Sequence, residues 1–146
     1  MADKLNHLNK LRFLLEKEEQ KVAEKCAQYK SKIDAEYKKY HLLKDCLTDY
    51  RSKLVADQPN AIRSFQYRQY QEFFIQLEKA IHLQHDAIEK LKAIHFRFLK
   101  EYEAIKGKIK NLNKLIHKLL QQKAYRETRK ENQQAIELFN QRRQSE

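Results

Sequence analysis

The residues best equipped for chemistry in this 146-residue chain are its histidines and cysteines, and their spacing limits what they can do. His82 and His85 stand three apart, so on a helix they project from neighbouring positions and could approach one metal ion. Asp86 is the one further ligand at suitable spacing, and all three flank an apolar seam rather than a cleft. Zinc needs three or four convergent ligands, so no metal site is expected. Cys26 and His95 fall on roughly facing seam positions, and a thiol beside an imidazole can serve as nucleophile and base. Two packed helices supply no oxyanion hole and no pocket, so the pair reads as a packed polar layer. A phosphate-cradling loop needs several glycines, and Gly107 is the single glycine. No catalytic residue, no cofactor and no small-molecule substrate are expected.

What must position these residues is a pair of interlocked seven-residue series. Tyr70, Leu77, Gln84, Leu91, Phe98, Ile105, Leu112 and Leu119 form one; Phe74, Ile81, Ile88, His95, Tyr102, Ile109 and Ile116 form the other. Alternating steps of four and three are the a/d seam of a coiled coil, sustained here well past the three or four heptads such an assignment requires. The first part of the chain repeats the pattern with Cys26, Ile33, Tyr40, Leu47 and Leu54, and with Leu8, Leu15, Val22, Tyr29, Glu36, Leu43 and Tyr50. Before Cys26 the shorter series weakens, Leu11 being the best remaining match, so less regular packing is expected there. The strong break is Asp57-Gln58-Pro59-Asn60, where proline suits the first turn of a new helix. The fold class is therefore all-α: two long helices forming an antiparallel coiled-coil hairpin in a single domain, 1–146. Helix one covers about 3–56, the turn about 57–60 and helix two about 61–140.

Composition agrees with long solvated helices. Charged residues make up 35% and apolar ones 41%, with one proline and no tryptophan, which leaves little to build a thick core. No run approaches eighteen consecutive apolar residues, so no membrane span is expected. The opening MADKLNHLNKLRF lacks the apolar run and small-residue cleavage site of a secretory signal. Cys26 and Cys46 would lie roughly 30 Å apart on one helix and cannot bridge each other. Two unpaired thiols fit a reducing compartment, and a cytosolic chain is expected.

Folding the chain at Pro59 and Asn60 brings the two seams into register. Tyr50 then meets Tyr70, Leu43 meets Leu77, Tyr29 meets Leu91, Val22 meets Phe98, Leu15 meets Ile105 and Leu8 meets Leu112. One polar seam residue meets another, Glu36 opposite Gln84, and such layers fix register at some cost in stability. The second helix outlasts the first by about 30 residues. In that C-terminal overhang Lys123 and Arg126 take the next seam positions, and Ile136, Leu138 and Phe139 are the remaining apolar cluster. An unpaired helix is marginal in water, so the overhang is expected to be ordered by binding a partner.

The formal charge of +11 is unevenly spread. Residues 57–86 are near neutral, whereas Lys106, Lys108, Lys110, Lys114, Lys118, Lys123 and Arg126 follow one another with no acid between Ala104 and Arg126. Such a run is either a solvated helix face or a site for an acidic partner, whether nucleic acid, anionic lipid or an acidic protein surface. Phe65, Tyr67, Tyr70, Phe73 and Phe74 crowd the start of helix two, and a helix can turn only some of them inward. Phe73, with Phe65 or Tyr67, is expected to be exposed, as a docking surface or as cover for the hairpin tip.

Three stretches together resemble the flagellar export protein family FliJ: Asp49-Tyr50-Arg51-Ser52-Lys53-Leu54, Asn60-Ala61-Ile62-Arg63-Ser64, and Tyr70-Gln71-Glu72-Phe73-Phe74-Ile75-Gln76-Leu77-Glu78-Lys79-Ala80-Ile81. Each alone is weak, because coiled coils mimic one another; as a set they are moderately specific. The likeness is densest over residues 43–85, while length, basic charge and overhang match along the chain. The resemblance implies a component of the flagellar type III export apparatus, an antiparallel coiled coil similar to the central stalk of rotary ATPases. It implies three partners: the hexameric export ATPase, the cytoplasmic domain of the membrane-embedded export gate, and export chaperones. It also implies a cytoplasmic location, peripheral to the inner membrane at the flagellar base. Carried onto matching positions, the gate-binding patch comprises Leu43, Tyr50, Phe73, Leu77 and Ala80. Cys46 stands where the family pattern has an aromatic, and Gln84 where it has a histidine, with His85 one residue late. The terminal end, the start of helix one with residues 105–146 and the seven cations from Lys106 to Arg126, is expected to bind the ATPase ring.

Three other readings are weighed against that expectation. The stalk protein of a virulence type III system has similar architecture. A nucleic-acid-binding coiled coil predicts steep salt dependence, but the basic run adjoins no groove-reading motif, so no nucleic acid is expected. A membrane-surface amphipathic helix is disfavoured because the partner helix already covers the apolar stripe.

Overall fold

A computed structural model describes residues 2–57 and 64–145, as the helices α1 (Ala2–Asp57) and α2 (Ser64–Ser145). They are 56 and 82 residues long, and the described residues include no strand. The chain is thus an all-α helical hairpin with a longer second helix. Pro59 and Asn60, on which the expected turn rests, lie outside the described residues.

Neither helix contains a proline, and Gly107 is the one glycine in them, so nothing in their interiors opposes propagation. Asp3 in the first turn of α1 complements the positive helix pole, and Arg142 and Arg143 in the last turn of α2 complement the negative one. With that termination and no breaker before it, α2 runs past residue 140 to Ser145.

The chain divides into two compact units, Met1–Lys21 with Tyr102–Glu146, and Val22–Glu101. In the first, Leu5, Leu112, Ile116 and Leu119 form a buried cluster on which Leu8 and Leu15 pack, and Ile105 is buried as well. Leu11, the expected seam residue, is 47% exposed. Strict steps of seven back from Cys26 lead instead to Glu19, Arg12 and Leu5, and these are half-buried, half-buried and buried. The reason is rotational: Leu11 stands one residue away from that phase, which turns a side chain by about 100° off the seam. The helix keeps its phase and accepts two charged residues rather than rotate to bury Leu11. Beyond the cluster, every residue from Leu120 to Ser145 is exposed.

In the second unit Val22, Ile33, Leu77 and Ile88 are buried, Ile88 most completely at 1% exposure. Tyr50 and Tyr70 meet as expected, ring centroids 5.8 Å apart. Phe98, expected opposite Val22, packs its ring against Tyr29, with centroids 5.3 Å apart. Along the whole of α2 from Tyr70 to Leu119, each position of both series is buried or half-buried.

The polar layer is formed. The Gln84 side-chain amide donates to the Glu36 backbone carbonyl at 3.0 Å and to the Glu36 carboxylate. Lys39 Nζ donates to the same carboxylate at 3.3 Å. Hydrogen bonding from Gln84 first, then from Lys39, holds the Glu36 carboxyl below its ordinary value. A neighbouring example is Lys92, raised by hydrogen bonding to the Tyr37 side chain, with Glu89 beside it at 3.6 Å.

Two outcomes follow from this packing. Ile88→Ala is expected to cost about 2–5 kcal/mol in urea unfolding. Leu42→Ala, which truncates a side chain 69% exposed, is expected to stay within about 0.5 kcal/mol of the parent. For Glu36 the sign follows from its lowered value: the folded state prefers the carboxylate, so its contribution is complete above 4.5, the ordinary value. It is lost as pH falls through the lower folded-state value. Thermal melts of the parent and of Glu36→Gln should therefore differ most near neutrality and converge on acidification below that value.

Candidate functional site

The chemistry-bearing side chains sit on the helix surface or within the seam. His82 Nε2 lies 3.7 Å from Asp86, and His85 Nε2 lies 3.8 Å from Glu89, each pair one turn apart on α2. These are exposed ladders along one helix, with side-chain exposures of 78% for His82 and 53% for His85. Among the described residues no group of three or more histidine, cysteine, aspartate or glutamate side chains converges as a metal site would require. Cys26 and His95 are both half-buried in the seam, and the hydrogen bonds among the described residues do not join them.

The aromatic crowd in the second unit is organised around Tyr50. Its ring stacks on Phe73 at 4.4 Å and meets Phe74 edge-on at 6.1 Å, besides the contact with Tyr70. Phe73 keeps 36% of its surface exposed, while Phe65 at 70% and Tyr67 at 41% stand out further. The five positions carried over from the family pattern therefore differ in access. Leu77 is buried at 8%, Leu43, Tyr50 and Ala80 are half-buried, and Phe73 alone presents an open ring face. Leu77 can influence a docked partner only through the packing beneath the surface. Arg51 and Glu78 link the two helices beside this patch at 3.4 Å, an exposed pair of small energetic weight.

The basic run occupies the first unit. Lys106, Lys108, Lys110, Lys114, Lys118, Lys123 and Arg126 are all exposed, and no salt bridge among the described residues engages any of them. Lys106 rests over the Tyr102 ring, its ammonium 4.8 Å from the centroid. Past Leu119 the same helix carries Tyr125, Ile136, Leu138 and Phe139 with 60% or more of their surface exposed, among further arginines and lysines. Exposed apolar side chains combined with unpaired cations suit a contact with an acidic, partly apolar protein surface.

Sequence reading missed the participants from α1. Arg12 Nη1 donates to Asn113 Oδ1 at 3.3 Å, and Glu19 faces Lys106, Lys110 and Lys114 across a shallow groove. Extending the seven-residue phase strictly to the N-terminus would have found both, because it lands on Glu19 and Arg12. No helix among the described residues is long and apolar enough to cross a membrane.

No curated protein and no solved structure is similar at a significant level. Residues 4–144, nearly the whole chain, match the family described as Flagellar FliJ protein. A helical hairpin, a cation-rich second helix and that match together place the chain in the FliJ family of flagellar export-associated, non-catalytic proteins.

Proposed function

We propose that this chain acts as a stalk-like component of the flagellar type III export apparatus. It couples the hexameric export ATPase to the export gate and binds export chaperones. The observation that carries the reading is the α2 segment from Leu120 to Ser145, a continuous helix exposed at every position and rich in unpaired cations. A helix in that state gains by acquiring a partner. The seven cations from Lys106 to Arg126 and the start of α1 supply the ATPase contact, since the cations stand on the same helix and the start of α1 packs on Leu112, Ile116 and Leu119 just before the exposed segment. The cytoplasmic domain of the gate is met by the aromatic patch, with Phe73 and Ala80 at the contact, Leu43 and Tyr50 partly accessible, and Leu77 supporting them from the seam. The protein works in the cytoplasm, peripherally at the inner membrane.

Glu36 and Gln84 have a separate role in this reading, as the layer that fixes how the two helices are paired. Two seams of mostly aliphatic and aromatic residues tolerate a slip of one heptad, whereas a single polar pair is satisfied in one register only.

Deleting residues 121–146 is expected to abolish stimulation of the export ATPase while leaving capture by the gate's cytoplasmic domain intact. Undiminished stimulation by the truncated chain would overturn the assignment. Replacing Glu36 and Gln84 together by leucine is expected to raise the melting temperature and to spread the pairing over more than one register, read by cross-linking of cysteines introduced on the two helices. An unchanged melting temperature with a single register would remove the role assigned to the pair.

A further inference from the structure

The cations of the basic run do not share one surface. At about 100° per residue, Lys106, Lys110, Lys114 and His117 form a row that starts on one flank of the α2 seam and winds onto the outer face at Lys114, while Lys108 and Arg126 fall on the other flank and Lys118 lies on that far side of the outer face. The first set lines a groove with Ile109 and Asn113, and Glu19 closes it from α1. Ile109 is half-buried and gives the groove an apolar floor. Asn113 is held in place by the hydrogen bond from Arg12 at 3.3 Å. Glu19 is half-buried too, and it has no salt-bridge partner among the described residues. One wall is therefore cationic, the other carries a partly covered carboxylate, and the floor is aliphatic.

We propose that this groove docks an acidic amphipathic helix of a partner protein. The ligand helix would carry carboxylates at i, i+4 and i+8 along Lys106, Lys110 and Lys114, an aliphatic side chain over Ile109, and a lysine or arginine toward Glu19. The pitch supports a helix: residues four apart on α2 rise about 6 Å, the same step that separates i and i+4 on a helix laid alongside. Glu19 argues against nucleic acid, because its carboxylate stands where a phosphate backbone would have to pass, and a single short row of cations neutralises few phosphates. Opposite charges on the two walls also fix which edge of the ligand faces α2. The inference rests on the reading that this unit of the chain meets a protein, and it adds the class of element that is recognised and the residues that orient it.

The test uses the full chain and a fluorescein-labelled synthetic helix with glutamates at i, i+4 and i+8, leucine on the inner face and arginine on the opposite edge. A scrambled peptide of identical composition is the control. Fluorescence anisotropy should show the phased peptide binding about tenfold tighter than the scrambled one. Lys106→Glu with Lys110→Glu and Lys114→Glu should weaken it by more than about tenfold, and Lys108→Glu with Lys118→Glu by less than about threefold. Glu19→Lys should weaken the arginine-edged peptide and favour one with glutamate at that edge, a charge-swap cycle that loss of fold cannot imitate. Circular dichroism of each variant reports its helix content. Equal losses from the groove and off-groove reversals, equal binding of phased and scrambled peptides, or preference for a DNA duplex or phosphatidylglycerol vesicles over the phased peptide would each overturn the proposal. Because the assay contains no ATPase, failure here with tail-dependent stimulation intact removes the groove alone, and the opposite pattern removes the stalk reading alone.

Discussion

Everything in this chain depends on the phase of one apolar seam. Burying an isoleucine or leucine stabilises by about 1.5–3 kcal/mol, and such residues recur on α2 at Leu77, Ile88, Ile105, Leu112, Ile116 and Leu119. Against that repeated gain, a local preference counts for little. The start of α1 makes the competition visible: Leu11 stays 47% exposed while Arg12 and Glu19 are drawn half under cover. Rotating α1 to bury Leu11 would have pulled Leu5, Leu8 and Leu15 out of their cluster with Leu112, Ile116 and Leu119. The seam thus dictates which residues become surface, and it places charges where propensity alone would not.

Much of the fold could be read from the residues because heptad spacing is a direct statement about which face is buried. Both series of α2 were legible to the last member, and so were the contact of Tyr50 with Tyr70 and the Glu36–Gln84 layer, because these depend only on period and on the fold-back point. Two kinds of detail were not. Phe98 packs on Tyr29 rather than on the residue paired with it by number, since the direction and length of a side chain are invisible to a spacing argument. The groove opposite Glu19 was hidden because a carboxylate at a seam position looks like an interruption of the pattern, and its meaning emerges only once the lysines of the other helix stand across from it. The carried-over family positions differ in access for a related reason: a sequence match does not distinguish Leu77, which is buried, from Phe73, which is open.

The two proposed contact surfaces would differ in the physics of recognition. Around Tyr50, stacked and edge-on rings make a rigid, weakly charged patch whose binding strength would come from removing apolar area from water. Around Lys106 to Arg126, charge dominates, so long-range attraction would speed encounter and would be damped by salt. Membership of the FliJ family puts a chain with these two surfaces among flagellar export-associated proteins.

The bare stretch of α2 after Leu119 has one more consequence, which concerns cooperativity. Starting a helix is the unfavourable step, because several backbone dihedrals are fixed for the first hydrogen bond, whereas each added residue is then nearly neutral. In this molecule the paired part of α2 acts as a permanent nucleus for Leu120–Ser145. A partner gripping that segment need not initiate anything; it only extends order already begun. Binding there would be less penalised than the folding of a free peptide of the same sequence, and the penalty would fall on the residues farthest from the seam.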